Sequence, residues 1–238
     1  MGFKIAIFAK KNEGTKELIQ ELNCFKSKWE IDDKNPQIVI TYGGDGTFLA
    51  AERFYPGIPK LILRKNSLCK KCHCGELDGI FKRLFEGAYV LQKHKKVEII
   101  LNGKKIDIFA TNDVTLRNAL QTHALRFDVH IGDKIYENVI GDGIVVATAF
   151  GSTGYFHSIT RKTFDEHLGL TFNNATQFFE PVLGIEIPIK VKIKRSRAFL
   201  SFDNYEEFFE VKENDVLEIR QSSEEFAVVK IKQPETEY

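Results

Sequence analysis

Three glycines stand between an apolar β-type segment and a helical segment in the first quarter of the chain. The run Gly-Gly-Asp-Gly-Thr at residues 43–47 follows the β-type residues 37–42 and precedes the helix-type residues 48–54. Because glycine has no side chain, backbone N–H groups in such a loop can approach phosphate oxygens, and the positive end of the following helix points at them. The sequence therefore predicts a strand, a tight glycine loop and a helix.

Asp45 places a carboxylate in the middle of this loop. A loop that only held phosphates would gain nothing from a negative charge among them. The carboxylate is better explained as a group that acts on a nucleophile or that meets a metal ion. The loop alone leaves both roles open.

Strand and helix patterns alternate through residues 1–95. Such alternation predicts right-handed crossovers and a parallel sheet, with any ligand outside the carboxyl ends of the strands. We therefore predict an α/β nucleotide-binding domain over 1–95 that carries the glycine loop at such an end. Its strand-type segments are 3–9, 37–42 and 60–63, and its helical stripes fall within 18–25 and 77–85.

Strand patterns dominate from residue 96 onward, which predicts a mostly antiparallel, all-β domain over 96–238. An Asn-Gly turn at 102–103 predicts a hairpin. The basic run from Lys190 to Arg197 alternates with apolar residues, so a solvated strand face is favoured over phosphate binding. Residues 161–180 show no clear pattern. The strand-type segments are 97–101, 106–110, 125–131, 185–193, 198–202, 216–219 and 226–231.

The charge balance limits the classes of partner. The chain has 34 Lys and Arg against 33 Asp and Glu, a formal net charge of +1. It therefore shows no electrostatic footprint for nucleic acid or for an anionic membrane. No apolar stretch has the length of a membrane span, and residues 1–11 do not resemble a secretory signal. We expect a cytoplasmic protein whose partners are small molecules or copies of itself.

Three of the four cysteines lie together in the sequence Cys-Lys-Lys-Cys-His-Cys at residues 69–74. This segment contains a Cys-x-x-Cys-His string, but the second ligand pair of a zinc site and the export signal needed for haem attachment are missing. A plain or redox-sensitive loop is favoured over a metal or haem site, and no metal ligand is assigned.

Three further motifs carry polar residues suited to a nucleotide. Residues 111–117 include Asn112 and Asp113, residues 141–148 include Asp142, and residues 149–155 end at Tyr155. An asparagine amide can pair with both the donor and acceptor edges of adenine, and a carboxylate can accept from ribose hydroxyls. Each motif also has a structural explanation: an Asx turn, a hairpin turn at Asp142, and a polar loop.

The order and spacing of the four motifs resemble the NAD kinase family, whose Gly-Gly-Asp-Gly-Thr loop is similar to that of lipid kinases and phosphofructokinases. The resemblance covers the loop and residues 97–156. It implies an α/β N-terminal domain, a β-rich C-terminal domain and a ligand site in the cleft between them. It also implies transfer of the terminal phosphoryl group of ATP, or of polyphosphate in some members, to the 2′-hydroxyl of the adenosine ribose of NAD, with Mg²⁺ neutralising the phosphates.

The resemblance also implies residue roles. Asp45 would be the general base that takes the proton of the ribose hydroxyl. The residues that would bind substrates are Gly43, Gly44, Gly46 and Thr47 for phosphates, Asn112 and Asp113 for adenosine, Asp142 for the nicotinamide end, and Ser152, Thr153 and Tyr155 for a base. Family members are similar in forming homodimers or homotetramers, which we expect here too.

The chain departs from the family pattern at three places. Phe150 replaces a small polar residue, residues 159–162 replace a Gly-Gly pair, and residues 63–69 replace a Gly-Ile-Asn-x-Gly string that flanks the substrate. Two alternatives therefore stay open. One is a related kinase that phosphorylates another hydroxyl, of a lipid or a nucleoside. The other is a non-catalytic protein that binds NAD or NADP.

Overall fold

The computed structural model describes residues 2–9, 13–64 and 76–232 of the chain. Within them the helices are α1 Glu13–Asn23, α2 Asp45–Phe54, α3 Leu77–Phe85 and α4 Tyr155–Thr160. The strands are β1 Phe3–Ala9, β2 Trp29–Ile31, β3 Ile38–Tyr42, β4 Lys60–Leu63, β5 Tyr89–Leu101, β6 Lys104–Lys105, β7 Asp113–Asn118, β8 Leu125–Ile131, β9 Lys134–Gly141, β10 Gly143–Thr148, β11 Leu168–Asn173, β12 Val182–Ile185, β13 Ile189–Arg195, β14 Ala198–Phe202, β15 Phe208–Val211 and β16 Val216–Ile231.

The chain forms two compact units. The first contains the residues up to His94 and those from Glu225 onward, and the second contains Lys95–Glu224. The predicted division between residues 95 and 96 differs from this at the C-terminal end. The last part of β16 joins the first unit because Val228 pairs in parallel with Lys60 of β4.

The first unit is an α/β structure with a parallel sheet, as predicted. Five strands follow the order β2-β1-β3-β4-β16, and the four pairings along this order are parallel. Apolar residues of α1 and α3, including Leu22 and Phe81, pack on one set of strand residues, including Ile5 and Ile40. The alternate strand residues pack against Ala51 of α2. Helices thus cover both faces, because side chains along a strand alternate between them.

The second unit is antiparallel β structure, which confirms the predicted fold class. One sheet has the order β12-β11-β10-β7-β14-β15, and β16-β13-β8-β9 lie side by side in the other. Apolar residues from both sheets form one core cluster, which includes Phe127, Val146, Leu170, Val191 and Leu200. In β13 the lysines 190, 192 and 194 are exposed and the residues between them are buried, so the predicted solvated strand face is confirmed.

Three strand predictions are wrong in detail. The segment predicted at 185–193 is interrupted, because β12 ends at Ile185 and β13 begins at Ile189. Residues 106–110 contribute a single bridge, Val97 with Ala110, and the second strand of the predicted hairpin is only Lys104–Lys105. The segments predicted at 216–219 and 226–231 are one continuous strand, β16. The unassigned region 161–180 contains β11. The turn at Asn102 and Gly103 is present, with positive φ at both residues.

Two other predictions concern the cysteine-rich segment and membrane spans. Residues 69–74 lie outside the described residues. Among the residues that are described, no helix has the length and apolarity needed to cross a membrane.

A buried carboxylate in the second unit is held by two cations. Glu98 on β5 is 5 % exposed, and its carboxylate receives hydrogen bonds from Lys105 Nζ at 2.7 Å, Arg220 Nε at 2.6 Å and Ser222 Oγ at 3.3 Å. Burial raises the pKa of Glu98, but the hydrogen bonds and charges of Lys105 and Arg220 outweigh this and hold the pKa below its ordinary value.

Acid is expected to weaken the second unit through Glu98. A carboxyl group whose pKa is lower in the folded chain stabilises the fold fully above its unfolded-state pKa, and this contribution is lost as the pH falls through the folded-state pKa. We expect the urea concentration at the unfolding midpoint to decrease once the pH is lower than about 5. Glu98→Gln should lower the free energy of unfolding by about 1–3 kcal/mol near neutral pH. The urea midpoint of this variant should then decrease less steeply in acid than that of the wild type.

The matched control is Glu213→Gln, because Glu213 is exposed. Its urea midpoints should follow those of the wild type at every pH. An acid decline that is equally steep in wild type and Glu98→Gln would contradict the role given to this carboxylate.

Candidate functional site

The glycine loop lies at the carboxyl end of a fully buried strand. All five residues of β3 are buried, and α2 begins at Asp45. Gly43 has a φ of +152°, and a Cβ atom at this position would lie 2.4 Å from Thr47 Oγ1. The loop closes through Gly44, whose carbonyl accepts from Thr47 N at 2.9 Å. A glycine is therefore needed at 43 for the chain to turn directly from the strand into the helix.

Asp45 is accessible in the first turn of α2. Its side chain is 49 % exposed, and Oδ1 lies 3.4 Å from Arg64 Nη2. Arg64, which follows β4, also donates from Nε to the Gly43 carbonyl at 3.3 Å. The carboxylate is therefore accessible to a molecule from solution. Arg64 was not identified as a site residue from the sequence, although it lies in the segment that departs from the family pattern.

The backbone around Asn112 and Asp113 is held by a carboxylate far away in the sequence. Asp203 accepts hydrogen bonds from the backbone N–H groups of Thr111 at 2.7 Å, Asn112 at 2.7 Å and Asp113 at 3.0 Å. Burial raises the pKa of Asp203, while these three donors and the charge of Lys96 oppose the rise. Sequence reasoning missed Asp203, because no motif surrounds it.

The same segment is fixed on its carbonyl side by Thr148, the last residue of β10, and by Gly151 in the loop that follows. Thr148 Oγ1 donates to the Thr111 carbonyl at 2.8 Å and accepts from Gly151 N at 2.8 Å, and Thr148 N donates to the Asn112 carbonyl at 2.8 Å. A Cβ atom on Gly151 would lie 2.0 Å from the Asn112 carbonyl oxygen. Residue 151 must therefore be glycine for the two segments to approach this closely.

This rigid frame leaves one polar atom without a partner. Asn112 is 6 % exposed, and its side-chain Oδ1 is buried with no hydrogen-bond partner among the described residues. Such groups are rare in folded proteins because each one costs free energy. An acceptor held in this way is suited to a ligand that brings an N–H or O–H donor.

The residues after Gly151 are placed differently from one another. Ser152 is 1 % exposed and donates from Oγ to the Phe164 carbonyl at 3.1 Å, so its hydroxyl makes an internal contact. Thr153 is exposed. Tyr155, at the start of α4, accepts at its hydroxyl from Asn173 Nδ2 at 3.3 Å. Phe150 is buried.

Asp142 does not lie in a hairpin turn, so this structural explanation is wrong. The strands on either side of it belong to different sheets: β9 pairs with β8, whereas β10 pairs with β7 and β11. Asp142 lies where the chain crosses between them. Its carboxylate accepts from Asn174 Nδ2 at 3.1 Å and from Asn118 Nδ2 at 3.4 Å, and these amides orient it.

The candidate residues therefore form local groups. The glycine loop with Asp45 belongs to the first unit, and Asn112, Asp113, Asp142, Ser152, Thr153 and Tyr155 belong to the second. Within the second unit, the structure brings the Asn112 segment against Gly151, and it brings Asp142 next to the Asn174 amide. The described part of the chain shows no group of three His, Cys, Asp or Glu side chains placed to hold a metal ion.

Two solved structures have a similar fold. The yeast NADH kinase complexed with NADH matches with a TM-score of 0.80 and 16 % sequence identity, over 98 % of this chain and 84 % of that one. The NAD kinase from Archaeoglobus fulgidus in complex with ATP matches with a TM-score of 0.77 and 19 % identity, over 97 % of this chain and 94 % of that one.

Relatives are also found by sequence. The NAD kinase of Clostridium kluyveri is 30 % identical over 132 residues, which are 53 % of this chain and 47 % of the relative. The NAD kinase of Lactobacillus gasseri is 35 % identical over 147 residues, 56 % of this chain and 52 % of the relative. The chain thus spans about half the length of the curated relatives it matches.

A family match covers most of the second unit and the end of β16. The family described as the ATP-NAD kinase C-terminal domain matches residues 111–231, which are just over half of the 238 residues. This stretch begins at the segment that Asp203 holds and includes Asp142 and Gly151. The chain therefore belongs to the NAD kinase family.

Proposed function

We propose that this chain is an NAD kinase, which transfers the terminal phosphoryl group of ATP to the 2′-hydroxyl of the adenosine ribose of NAD and forms NADP. The observation that carries the proposal is the buried, unpartnered Oδ1 of Asn112 within the stretch that matches the family. In this proposal the exocyclic amine of adenine donates to that oxygen, and the Asp113 carboxylate accepts from ribose hydroxyls.

Asp45 is proposed as the general base. A ribose hydroxyl is a poor nucleophile near neutral pH, so a carboxylate that aligns it and accepts its proton accelerates the reaction. The accessible position of Asp45 in the first turn of α2 supports this role. As the proton moves to Asp45, the hydroxyl oxygen forms a bond to phosphorus, and the bond from phosphorus to the ADP oxygen breaks.

The glycine loop is proposed to bind the phosphates, and Mg²⁺ is proposed to neutralise their charge. Gly43, Gly44, Gly46 and Thr47 would bind phosphates near the positive end of α2. Mg²⁺ keeps several waters and is commonly bound through substrate phosphates, so this proposal leaves the Asp45 carboxylate free to act as the base. When bound, the ion would neutralise charge on the phosphates.

The remaining roles follow the family pattern. Asp142 is proposed to bind the nicotinamide end, and Thr153 and Tyr155 to bind a base. For Ser152 the proposed role in binding a base requires its hydroxyl to leave the Phe164 carbonyl and to donate to the ligand. We further propose that the first unit binds nucleotide and the second binds substrate, that the chain forms a homodimer or homotetramer, and that it acts in the cytoplasm.

The test is a turnover assay with the purified protein, Mg²⁺, ATP and NAD, in which NADP is read by an NADP-specific dehydrogenase. NADP in excess over the enzyme is expected, since each molecule should turn over many times. Polyphosphate in place of ATP tests the donor, and light scattering of the same sample measures the assembly.

The two alternatives have their own outcomes. A panel of acceptors that includes NAD, diacylglycerol and nucleosides, each with radiolabelled ATP, tests for another hydroxyl. Label that enters a lipid or nucleoside but not NAD would contradict the proposal. Calorimetric binding of NAD with no product after long incubation would instead indicate a non-catalytic protein.

A further inference from the structure

Arg64 reaches across the glycine loop and contacts it at two points. Its Nη2 atom lies 3.4 Å from Asp45 Oδ1, and its Nε donates to the Gly43 carbonyl at 3.3 Å. The guanidinium also lies beside the residue between them, because a Cβ atom built on Gly44 would be 3.1 Å from Nη2. The side chain therefore carries a positive charge along the whole turn from strand to helix.

Both contacts are long, and the partners remain accessible to solvent. The Arg64 and Asp45 side chains are 28 % and 49 % exposed. Accessible ion pairs of this kind contribute little to stability, so the guanidinium can change partner without disturbing the fold. A phosphate oxygen pair would offer it shorter, charge-assisted and bidentate hydrogen bonds.

Phosphoryl transfer is accelerated by a cation beside the transferred group. In the transition state, negative charge is spread over the equatorial oxygens of the transferred group, and an arginine that contacts them stabilises it. The Asp45 carboxylate adds a further negative charge next to the incoming phosphates, which increases the need for a compensating charge.

We propose that Arg64 binds the transferred phosphoryl group of the donor and is a catalytic residue of this protein. The inference rests on the proposed kinase function. Arg64 forms no covalent bond: the hydroxyl proton still moves to Asp45, and the guanidinium moves from the Asp45 carboxylate to the oxygens of the phosphoryl group. Residue 64 lies in a segment where the chain departs from the family pattern. The role is therefore assigned to Arg64 of this chain and not to the family as a whole.

Steady-state kinetics give the first test. Arg64→Met is expected to lower kcat/KM for ATP by about 100- to 1,000-fold, the usual cost of removing one transition-state donor, and to change KM for NAD by less than about threefold. Arg64→Lys should recover only part of the loss, because a lysine cannot form the bidentate contact. Added guanidinium ions should restore part of the activity of Arg64→Met but not alter the wild type.

The matched control is Arg53→Met. Arg53 is an exposed arginine in the last turn of α2, so its loss removes the same charge from the other end of the helix. Its kinetic constants should equal those of the wild type. Melting curves of both variants should overlay the wild-type curve, because both side chains are accessible.

A binding measurement separates this inference from the proposed function. Wild type and Arg64→Met are titrated with ADP and with the non-hydrolysable analogue β,γ-imido-ATP. The variant should lose at least about tenfold in affinity for the analogue and less than about threefold for ADP. An inactive wild type would contradict the kinase function, yet these titrations would still test Arg64. Equal losses for both nucleotides, or no loss for either, would overturn the inference.

Discussion

Replacing Asp45 by asparagine is expected to lower kcat for NADP formation by about 100- to 10,000-fold, which is the usual contribution of a positioned general base. The asparagine has the same shape but cannot accept a proton from the ribose hydroxyl. Because the Asp45 side chain is half exposed, the fold should survive the change. The measurement is the initial rate of NADP formation at saturating ATP and NAD.

The matched control is Asp78→Asn, since Asp78 is an exposed aspartate in the first turn of α3, in the same unit. Its rate should equal that of the wild type. A wild-type rate in Asp45→Asn would remove the catalytic role. If activity returns in Asp45→Asn when Mg²⁺ or Mn²⁺ is raised, Asp45 acts as a metal ligand, which was the other role that the loop left open.

The second large effect concerns stability. Asp203→Ala is expected to lower the free energy of unfolding by about 3–5 kcal/mol, because it leaves three backbone N–H groups without their acceptor. Thr111, Asn112 and Asp113 are each at most 8 % exposed, so water cannot easily replace the lost carboxylate. Asp203→Asn keeps one oxygen and should lie between wild type and Asp203→Ala. Urea denaturation measures all three.

The control for this series is Asp133→Ala, at an exposed turn position between β8 and β9. Its free energy of unfolding should stay within about 0.5 kcal/mol of the wild-type value. Where Asp203→Asn remains folded, its KM for NAD should rise, because Asp203 sets the position of Asn112. Unfolding curves for Asp203→Ala that match those of Asp133→Ala would show that the three hydrogen bonds do not hold the segment.

The sequence predicts the parts of this fold that depend on neighbours along the chain. Strand β4 coincides with the predicted residues 60–63, and the helical stripe at 77–85 coincides with α3. The sequence also predicts the glycine loop at the end of β3, because glycines adopt the tight-turn backbone conformations that other residues avoid. The order of the four motifs was enough to predict the family and the class of both domains.

The parts that were missed depend on contacts between distant residues. Asp203 accepts a hydrogen bond from Thr111, which lies 92 residues away in the sequence, and no local sequence pattern indicates such a pair. Asp142 lies between two glycines, which is typical of a hairpin turn, but pairing partners elsewhere put its two strands into different sheets. The internal bond of Ser152 also required the fold, because a serine in a glycine-rich loop is equally suited to a ligand.

The path of β16 has a consequence for synthesis on the ribosome. Strand β4 gains its second neighbour only when Val228 pairs with Lys60, so the first unit is left with an open sheet edge until residue 228 has been translated. Open edges invite pairing with other chains. A nascent chain halted near residue 94 would therefore be an aggregation hazard, and the first unit would complete its sheet only after the second unit has been translated.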